Sequence, residues 1–485
     1  MMKYFLIILL SLNVIIEAAA EPDSAVASIG NLRISKDEFI NGYEFGPSFY
    51  KKVNNSKKVF LDFLVNEKLL ALDGYSKKLD TSQNYKNIYN TFLSDIASEE
   101  MFKKEFLPKI KITSAEIDTV AKQKLINLEI DWIYNSNQSS IASILNQLKK
   151  GASFDSLWNK QLNESITKDD RYMKTTRFLL GEKNPLLASV VDTLRVGTYS
   201  LPIKTNDGFY IVRLKNFDYR LTASEGEEIK VRQESKNALK LKKSELLSSV
   251  YIDSLMRDSN STIKRKAFQI LRSYLAKSFI SKEKYSDWKL GTILKSAINY
   301  YDSLGIKSYS KIELIETKNG SISLSEFLNW FQLRSQYIKM KDGSFEDFSR
   351  SLESHVWLML RDNLLASEAK KKGYNSNKEV ISQMRLWNDK IMYATVKNQL
   401  INSITLNSKE VNNSEIEIEL NKRIFKKLVE LKKKHRIKID TKLLSSIEVS
   451  EENNPNAIDF YFVKRGGLIP RTPYPILDIY WAGWL

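Results

Sequence analysis

Apolar residues recur at helical spacing along most of the chain, as in "ALKLKKSELLSSVYIDSLM" at 238–256. The 485 residues include only 17 glycines and 9 prolines, which predicts long helices with few tight turns. Strand-like runs concentrate in one region, where "LEIDWIY" at 128–134 and "PIKTNDGFYIVRL" at 202–214 are rich in β-branched and aromatic residues. A helical segment, "SSIASILNQLKKG", lies between them. The pattern therefore predicts a mainly α protein with one small inserted α+β domain at 124–220.

Three short motifs occur twice in the same order, which predicts a duplicated helical module. In the first pair each motif begins a helix with a serine cap, and Glu38 or Glu326 stands at the third position to close a capping box. The second pair shares Leu-Leu-Ala, and the third is again a capped helix start. The three pairs are "LRISKDEF" (32–39) with "GSISLSEF" (320–327), "NEKLLALDGYSKKL" (66–79) with "RDNLLASEAKKKGY" (361–374), and "KITSAEID" (111–118) with "TLNSKEVN" (405–412).

Changes in pattern divide the chain into six predicted segments. The tail differs from the rest, because it holds β-prone blocks interrupted by Gly-Gly and proline. The predicted segments are a signal peptide (1–20), a helical module (21–123), the α+β domain (124–220), a helical connector (221–310), a second helical module (311–445) and a Pro/aromatic-rich tail (446–485).

The first twenty residues follow the pattern of a secretory signal peptide. A short basic start, Met1-Met2-Lys3, precedes the apolar run "YFLIILLSLNVII", and Ala18-Ala19-Ala20 supplies an A-x-A site. The apolar run is shorter than the roughly 18–20 residues that a spanning helix needs, so export is favoured over a membrane anchor. We expect cleavage near Ala20 and a soluble, periplasmic mature protein.

The amino-acid composition excludes several kinds of chemical site. The chain has no cysteine, which excludes disulfides, thiolate metal sites and cysteine nucleophiles. Its net charge of +17 comes from dispersed lysines, so the first interpretation is a solvated surface, and the alternative is attraction to an anionic membrane surface or to acidic unfolded polypeptides. Nucleic acid is not expected as a partner of an exported protein. The two histidines, His355 and His435, cannot build a typical zinc site, and no nucleotide or flavin motif is present, so we expect no cofactor and no metal.

The arrangement resembles the SurA-type exported chaperones of the parvulin (PpiC-type) peptidyl-prolyl cis-trans isomerase family. The stretch "VASIGNLRISKDEF" at 26–39 is similar to the start of that family's helical chaperone module. "LNQLKKGASFDSLW" at 145–158 and "VVDTLRVGTYSLPIKTNDGFYIVRLKN" at 190–216 are similar to two segments of a parvulin domain. The resemblance covers most of 25–260 and is weaker over 311–445, where it rests on the repeat. It implies a rotamase-type fold within a chaperone for unfolded envelope or outer-membrane proteins.

The chain departs from that family at two positions. The resemblance implies a pair of histidines facing each other across the floor of a proline pocket, and this chain has Asp131 and Tyr210 there. Prolyl isomerisation breaks no bond, but it must pass a barrier of roughly 18–20 kcal/mol. Loss of both histidines weakens such catalysis without forbidding it. We therefore expect a degenerate parvulin domain whose isomerase activity is weak or lost. An active isomerase is the alternative, and a structural subunit of an envelope complex is a second alternative.

Client binding requires apolar and aromatic surface that accepts extended segments. The alternative for aromatic residues at helical spacing is ordinary core packing. The tail after Asn453 is expected to dock on its own chain or on another envelope protein. The candidate client-binding residues are Phe39, Tyr43, Phe45, Phe49 and Tyr50 in the first module, and Phe327, Trp330, Phe331 and Tyr337 in the second.

Overall fold

The computed structural model of the chain describes residues 25–45, 51–290, 311–334, 340–405 and 413–449. The chain forms two compact units. We call them the helical unit, formed by Met1–Glu105 together with Ser248–Leu485, and the inserted unit, Phe106–Leu247. The predicted signal peptide, and the predicted tail from residue 450 onward, lie outside the described residues.

Helices dominate the described residues, and none of those helices is long and apolar enough to span a membrane. The helices are α1 (Lys36–Phe45), α2 (Ser56–Ser76), α3 (Gln83–Glu105), α4 (Ser114–Leu125), α5 (Gln138–Lys149), α6 (Phe154–Asn159), α7 (Arg177–Lys183), α8 (Pro185–Val191), α9 (Glu225–Asp258), α10 (Arg265–Phe279), α11 (Lys282–Asp287), α12 (Leu324–Arg334), α13 (Phe345–Lys371), α14 (Lys378–Thr405), α15 (Asn413–Lys434) and α16 (Thr441–Ser446). The strands are β1 (Ala25–Ile29), β2 (Leu32–Ser35), β3 (Ile126–Asn135), β4 (Tyr172–Thr176), β5 (Ile203–Lys204), β6 (Phe209–Tyr219), β7 (Thr262–Ile263), β8 (Glu313–Thr317), β9 (Gly320–Ser323) and β10 (Ile437–Ile439).

The compact units and the predicted segments divide the chain differently. Most of the module predicted at 21–123 and the module predicted at 311–445 belong together in the helical unit. The connector predicted at 221–310 is split, because α9 runs without interruption past Leu247, where the inserted unit ends. The inserted unit extends beyond the predicted 124–220 at both ends, since α4 precedes its sheet and the first part of α9 follows it.

The inserted unit contains a four-stranded antiparallel sheet in the order β4-β3-β6-β5. Its long central pair, β3 and β6, forms from the two strand-like runs of the sequence, and the helix predicted between them is α5. Asn137 caps α5, and its side chain accepts hydrogen bonds from the backbone of Ser139 and Ser140. The α+β prediction for this part of the chain therefore matches the elements observed.

The two faces of this sheet carry separate cores. Successive side chains of a strand point to opposite faces. Ile133 and Ile211 pack with buried side chains of α5 and α6 on one face. On the other face Ile130 and Val212 pack with buried residues of α7 and α8. Beyond the register shift between Glu129 and Ile130, alternation assigns the side chains from Ile130 to Asn135 and from Phe209 to Leu214 to one face or the other.

Each three-stranded sheet of the helical unit takes its third strand from a distant part of the chain. The first hairpin, β1–β2, pairs with β10, which comes after the second set of helices. The second hairpin, β8–β9, pairs with β7, which comes after the first set of helices and the inserted unit. The strand after the second set of helices thus completes the sheet of the first hairpin, and the strand that precedes the second hairpin completes the sheet of that hairpin.

The order hairpin, short helix, long helix, 3₁₀ turn and long helix occurs twice in the helical unit. The first 3₁₀ turn begins at residue 79 and the helix after it, α3, at residue 83. In the second occurrence the 3₁₀ turn begins at residue 374 and α14 at residue 378, so both elements are displaced along the chain by the same spacing, which we call the repeat spacing. The packing is also reciprocal, because α2 packs on α14 while α13 packs on α3.

Serine and threonine caps begin several of the helices, as the sequence indicates. Ser323 and Glu326 form the predicted capping box, with hydrogen bonds in both directions. At the first hairpin the Glu38 backbone N–H donates to Ser35 Oγ, but the Glu38 carboxylate instead binds Lys68. Thr113 and Glu116 cap α4 reciprocally, whereas the matching motif at 405–412 falls largely outside the described residues.

The aromatic residues predicted to bind clients lie in the cores of the helical unit. Exposed fractions are 0% for Phe39, 1% for Tyr43, 0% for Phe327, 9% for Trp330 and 4% for Phe331. Their rings pack on neighbouring aromatic rings and on buried leucines. Burial corrects the expectation that they line a client groove, because a packed side chain has no free surface to offer. The side chain of Phe45, and all of Phe49, Tyr50 and Tyr337, lie outside the described residues.

Candidate functional site: the cleft of the inserted unit

Tyr210 lies at the start of β6, immediately after a tight turn. Its hydroxyl donates a hydrogen bond of 2.5 Å to Asp207 Oδ2, and its ring centroid lies 5.0 Å from that of Tyr134. Burial and the neighbouring Asp207 carboxylate together raise the pKa of Tyr210 to about 12. The phenol is therefore neutral at physiological pH and is already committed as a donor.

Gly208 fixes the turn that presents Tyr210. Its φ of 152° is rarely adopted by residues that carry a side chain. A Cβ at this position would lie 2.7 Å from Tyr134 Cε2 and 2.8 Å from the carbonyl oxygen of Asn135. The Thr205 backbone N–H closes the turn by donating to the Gly208 carbonyl oxygen at 2.8 Å. The sequence Asn-Asp-Gly predicts this turn, and the close approach of the backbone to β3 explains why it needs glycine.

Asp131 does not share a site with Tyr210. In the β3–β6 register Asp131 pairs with Arg213, while Tyr210 pairs with Tyr134 further along β3. Residues an odd number of positions apart on one strand lie on opposite faces, so Asp131 and Tyr210 face opposite sides of the sheet. The expected catalytic pair is corrected by this register, because the two side chains cannot meet across one pocket floor.

The Asp131 carboxylate belongs to a buried ion pair on the α5–α6 face. Arg213 donates to it through Nε at 3.0 Å and through Nη2 at 2.6 Å. The same guanidinium binds Asp155 Oδ1 at 2.7 Å and lies 4.3 Å from the centroid of the Phe154 ring. Hydrogen bonding to Asp131 raises the pKa of Arg213 above its usual value. Arg213 thus binds both oxygens of the Asp131 carboxylate, which is the geometry of a structural ion pair.

Trp132 and Tyr134 are the aromatic side chains of β3 on the Tyr210 face, which also carries the apolar Ile130. Trp132 is partly buried against the core formed with α7 and α8, and it pairs with Val212 in the register. An indole N–H can only donate, and a phenol of raised pKa holds its proton. Trp132 and Tyr210 therefore offer aromatic surface and hydrogen-bond donors on this face.

An open cleft of about 570 Å³ lies beside β5, whose Ile203 pairs with Tyr210 in the register. Two of its lining leucines are strongly exposed, Leu186 at 54% and Leu201 at 69%. Tyr210 itself is not among the lining residues. They are Leu186, Val190, Thr193, Leu194, Tyr199, Ser200, Leu201, Pro202, Ile203 and Lys204.

The lining of this cleft favours binding over bond chemistry. Of the described residues that line it, none carries a carboxylate or an imidazole, and Lys204 is the one charged residue. Ser200 is buried, its hydroxyl donating to the Leu201 carbonyl oxygen at 2.7 Å and accepting from the Val212 backbone N–H at 3.0 Å. That hydroxyl is occupied and has no base beside it. The cleft can hold an apolar side chain or a proline ring by desolvation.

The sequence analysis did not identify the leucines of this cleft, because it singled out the polar positions Asp131 and Tyr210. The available signal was "SLPIK" at 200–204, where an apolar residue precedes a proline at the start of a strand. Pro202 cannot donate a ladder hydrogen bond, and the strand that follows it has only two residues. Leu201 is left projecting beside a short strand end, a position that hydrophobic periodicity alone does not reveal.

The remaining candidates for chemistry lie elsewhere. His355 and His435 both belong to the helical unit, and burial lowers the pKa of His355. Among the described residues, no group of three or more acidic or histidine side chains converges to hold a metal ion.

No protein-family model matches the sequence, and no curated protein matches it. Among solved structures, PrsA from Bacillus subtilis is 17% identical, with 39% of this chain and 81% of that chain covered and a TM-score of 0.18. A structure of the SurA-like chaperones PEB4 and Cj1289 from Campylobacter jejuni is 18% identical, with 50% of this chain and 100% of that chain covered and a TM-score of 0.21. The peptidylprolyl isomerase PrsA from Bacillus cereus is 17% identical, with 46% and 91% covered and a TM-score of 0.22. Superpositions this distant assign neither fold nor activity to this chain.

Proposed function

We propose that this protein is an exported chaperone that binds unfolded envelope polypeptides, holding apolar segments of a client in the cleft of the inserted unit. Signal-type residues at the N-terminus and the resemblance of the inserted segments to a parvulin domain support this proposal. The cleft binds the client but does not accelerate prolyl isomerisation significantly. Client identity is set by exposed apolar segments rather than by a sequence motif.

The observation that carries the proposal is the exposed apolar rim of the cleft. Leu186 and Leu201 keep more than half of their surface in water, at 54% and 69%. Burying apolar surface is worth about 25 cal/mol per Å², so a client side chain placed between these leucines gains on both sides. A cleft open to solvent also accepts a segment in the middle of an extended chain, as a chaperone requires.

Catalysis of prolyl isomerisation receives no support from the geometry. A catalyst must favour the twisted amide over both planar forms, which requires polar groups placed around the rotating bond. Asp131 is buried on the other face of the sheet, and the Tyr210 hydroxyl is held by Asp207. We propose that the inserted unit retains a parvulin-type scaffold for binding alone.

The helical unit is proposed to be a duplicated module whose two copies exchange strands. The constant repeat spacing between corresponding 3₁₀ turns and helices supports the duplication. Reciprocal pairing of β10 with the first hairpin and of β7 with the second supports the exchange. Such an exchange ties the two copies into one unit, because neither sheet is complete without a strand from elsewhere in the chain.

Two assays run side by side test the proposal. An unfolded outer-membrane protein is diluted from denaturant with and without the purified chain, and light scattering is followed. A proline-containing peptide is assayed for isomerisation in the same buffer. The proposal predicts suppressed scattering at near-stoichiometric amounts and an isomerisation rate at the uncatalysed level. Unchanged scattering overturns it, and catalysed isomerisation would show that the enzyme alternative is correct.

A further inference from the structure

Corresponding positions in the two halves of the helical unit can be compared residue by residue. The repeat spacing relates Lys68 of α2 to Asn363 of α13, and it relates Ser94 of α3 to Asp389 of α14. The hairpins and the short helices after them follow a slightly shorter spacing, set by the serines that end β2 and β9. By that spacing Glu38 of α1 corresponds to Glu326 of α12.

In the first half a lysine side chain fills the space between three helices. Lys68 Nζ lies 2.8 Å from Glu38 Oε1 and 2.6 Å from Asp389 Oδ2. Its side chain is only 3% exposed. Burial disfavours the ammonium, yet the Glu38 and Asp389 carboxylates outweigh that cost and raise the pKa of Lys68. The position therefore holds a fully buried, charged alkylammonium group.

In the second half the corresponding space is a cavity of about 270 Å³, which is open to solvent where Glu326, Asn329 and Asn363 are exposed. The residues equivalent to Lys68, Glu38 and Asp389 are Asn363, Glu326 and Ser94, and all three line it. Exchange of lysine for the shorter asparagine removes the aliphatic chain and the ammonium together. The cavity is large enough for several waters of about 30 Å³ each, and so for a butylammonium chain.

The charges around the cavity leave one carboxylate unneutralised. Arg334 binds Asp95 through two contacts of 2.9 Å, and Arg361 binds Asp362 at 2.7 Å. Glu326 forms no ion pair within the described part of the chain, and one of its oxygens accepts from Ser323 in the capping box. No hydrogen bond to its other oxygen is found within the described residues, and Glu326 is exposed whereas Glu38 is buried.

Amide side chains complete a cation-accepting lining. Asn87, Asn90, Asn329 and Asn363 all border the cavity from three different helices. Asparagine is a poor residue for helix interiors, because its amide competes with the backbone for hydrogen bonds. An amide oxygen can accept a hydrogen bond from an ammonium group. Four such residues around one carboxylate supply the acceptors that an incoming ammonium needs.

We infer that this cavity, which we call the amine pocket, binds a primary alkylammonium group that takes the place Lys68 occupies in the other half. The group enters with its aliphatic chain beside Trp330 and Ala366, and its ammonium binds Glu326, Ser94 and the surrounding amides. A lysine side chain of a bound polypeptide and a free diamine both carry this chemistry. The inference concerns a site separate from the cleft of the inserted unit and does not depend on its role.

Calorimetric titration of the full chain tests the amine pocket with three ligands. They are the peptide Ac-Ala-Ala-Lys-Ala-Ala-NH₂, the same peptide acetylated at its lysine Nε, and cadaverine. We expect saturable binding of the lysine peptide or cadaverine, with a dissociation constant of about 1 mM or tighter, and none of the acetylated peptide. Binding of the peptide alone identifies a polypeptide ligand, and binding of cadaverine alone identifies a small amine.

Two variants locate the binding. Asn363→Lys supplies the side chain that the first half already has, so the pocket fills itself and amine binding is lost. Glu326→Gln removes the charge while glutamine still closes the capping box, and we expect amine binding at least about tenfold weaker. Unchanged thermal unfolding confirms that both variants are folded. Failure of all amines to bind the wild type, equal binding of the acetylated peptide, or full binding by Asn363→Lys overturns the inference.

Discussion

The ring of Phe92 lies edge-on to the ring of Trp387, with centroids 5.0 Å apart and planes at 63°. The two residues occupy corresponding positions of α3 and α14, because the repeat spacing relates one to the other. Residues at corresponding positions of the two halves therefore contact each other directly. This contact lies in the core that α3 and α14 share.

Gly74 allows α2 to approach α14 closely. A Cβ on Gly74 would lie 2.4 Å from Met392 Sδ and 2.9 Å from Val396 Cγ2. Gly74→Ala is therefore expected to lower the free energy of unfolding by about 1–3 kcal/mol, since overpacking outweighs the better helix propensity of alanine. Urea denaturation followed by circular dichroism measures the change.

The corresponding residues in the other half of the helical unit suggest a second substitution that should compensate for Gly74→Ala. By the repeat spacing, Ala369 corresponds to Gly74 and Ala97 corresponds to Met392, and both alanines are fully buried at 0% exposure. We expect Gly74→Ala with Met392→Ala to be more stable than the sum of the single variants by about 1 kcal/mol or more. Additive effects would show that the two halves do not pack equivalently.

Lys68 holds together a buried cluster of charges, so its removal is expected to be costly. Lys68→Met leaves Glu38 and Asp389 without their ammonium and should lower the free energy of unfolding by about 3–5 kcal/mol at pH 7. Exposed Lys77, which also pairs with a carboxylate, is the control, and Lys77→Met should cost no more than about 1 kcal/mol. Chemical denaturation of both variants checks the difference.

The Lys68→Met effect should depend on pH in a defined direction. Burial raises the pKa of Glu38 above its ordinary 4.5, so the folded state favours the protonated acid. The stability that protonated Glu38 contributes to the folded state is fully present below pH 4.5. It is lost as the pH rises through the raised pKa that Glu38 has in the folded state. Without the Lys68 ammonium this loss of stability is larger. The difference in the free energy of unfolding between Lys68→Met and the wild type should therefore shrink from pH 7 to pH 5. A difference that stays constant over this range would contradict the burial of an unpaired carboxylate.

The sequence predicts the helices and strands of this protein better than it predicts the candidate catalytic and client-binding residues. Strands β3 and β6, the helix between them and the capped starts at Ser323 and Thr113 follow from local patterns that tertiary packing does not override. The faces of those strands do not follow, because the register that separates Asp131 from Tyr210 is set by pairing across the sheet. The aromatic residues Phe39 and Phe327 show the same limit, since helical spacing describes a packed face and a binding face alike.

Strand exchange lies beyond local sequence reasoning for a related reason. β10 and β7 have three and two residues, and each pairs with a hairpin that is distant along the chain. Segments of this length carry no periodic signal that separates them from loops. Only the spacing between repeated motifs hints at a partner, and it does not say which half supplies the strand.

Asp131 and Tyr210 should behave differently on substitution, because only one of them is in a buried ion pair. Asp131→Ala leaves the Arg213 guanidinium without its principal partner and should destabilise the inserted unit by about 3–5 kcal/mol. Tyr210→Phe removes one hydrogen bond to an exposed aspartate and should cost about 1 kcal/mol or less. Thermal unfolding of the two variants separates them, and equal effects would contradict the opposite placement of the two side chains.

The most direct test of the chaperone proposal changes the rim of the cleft. Leu186→Asp with Leu201→Asp places charge at both exposed leucines, and Leu221→Asp is the matched control, since Leu221 is 78% exposed and is not among the residues that line the cleft. Both proteins should unfold within about 0.5 kcal/mol of the wild type, because all three side chains are at the surface. The measurement is the affinity for a fluorescently labelled unfolded outer-membrane protein. The proposal predicts at least about tenfold weaker binding by the double variant and wild-type binding by Leu221→Asp, and equal binding by all three proteins would contradict it.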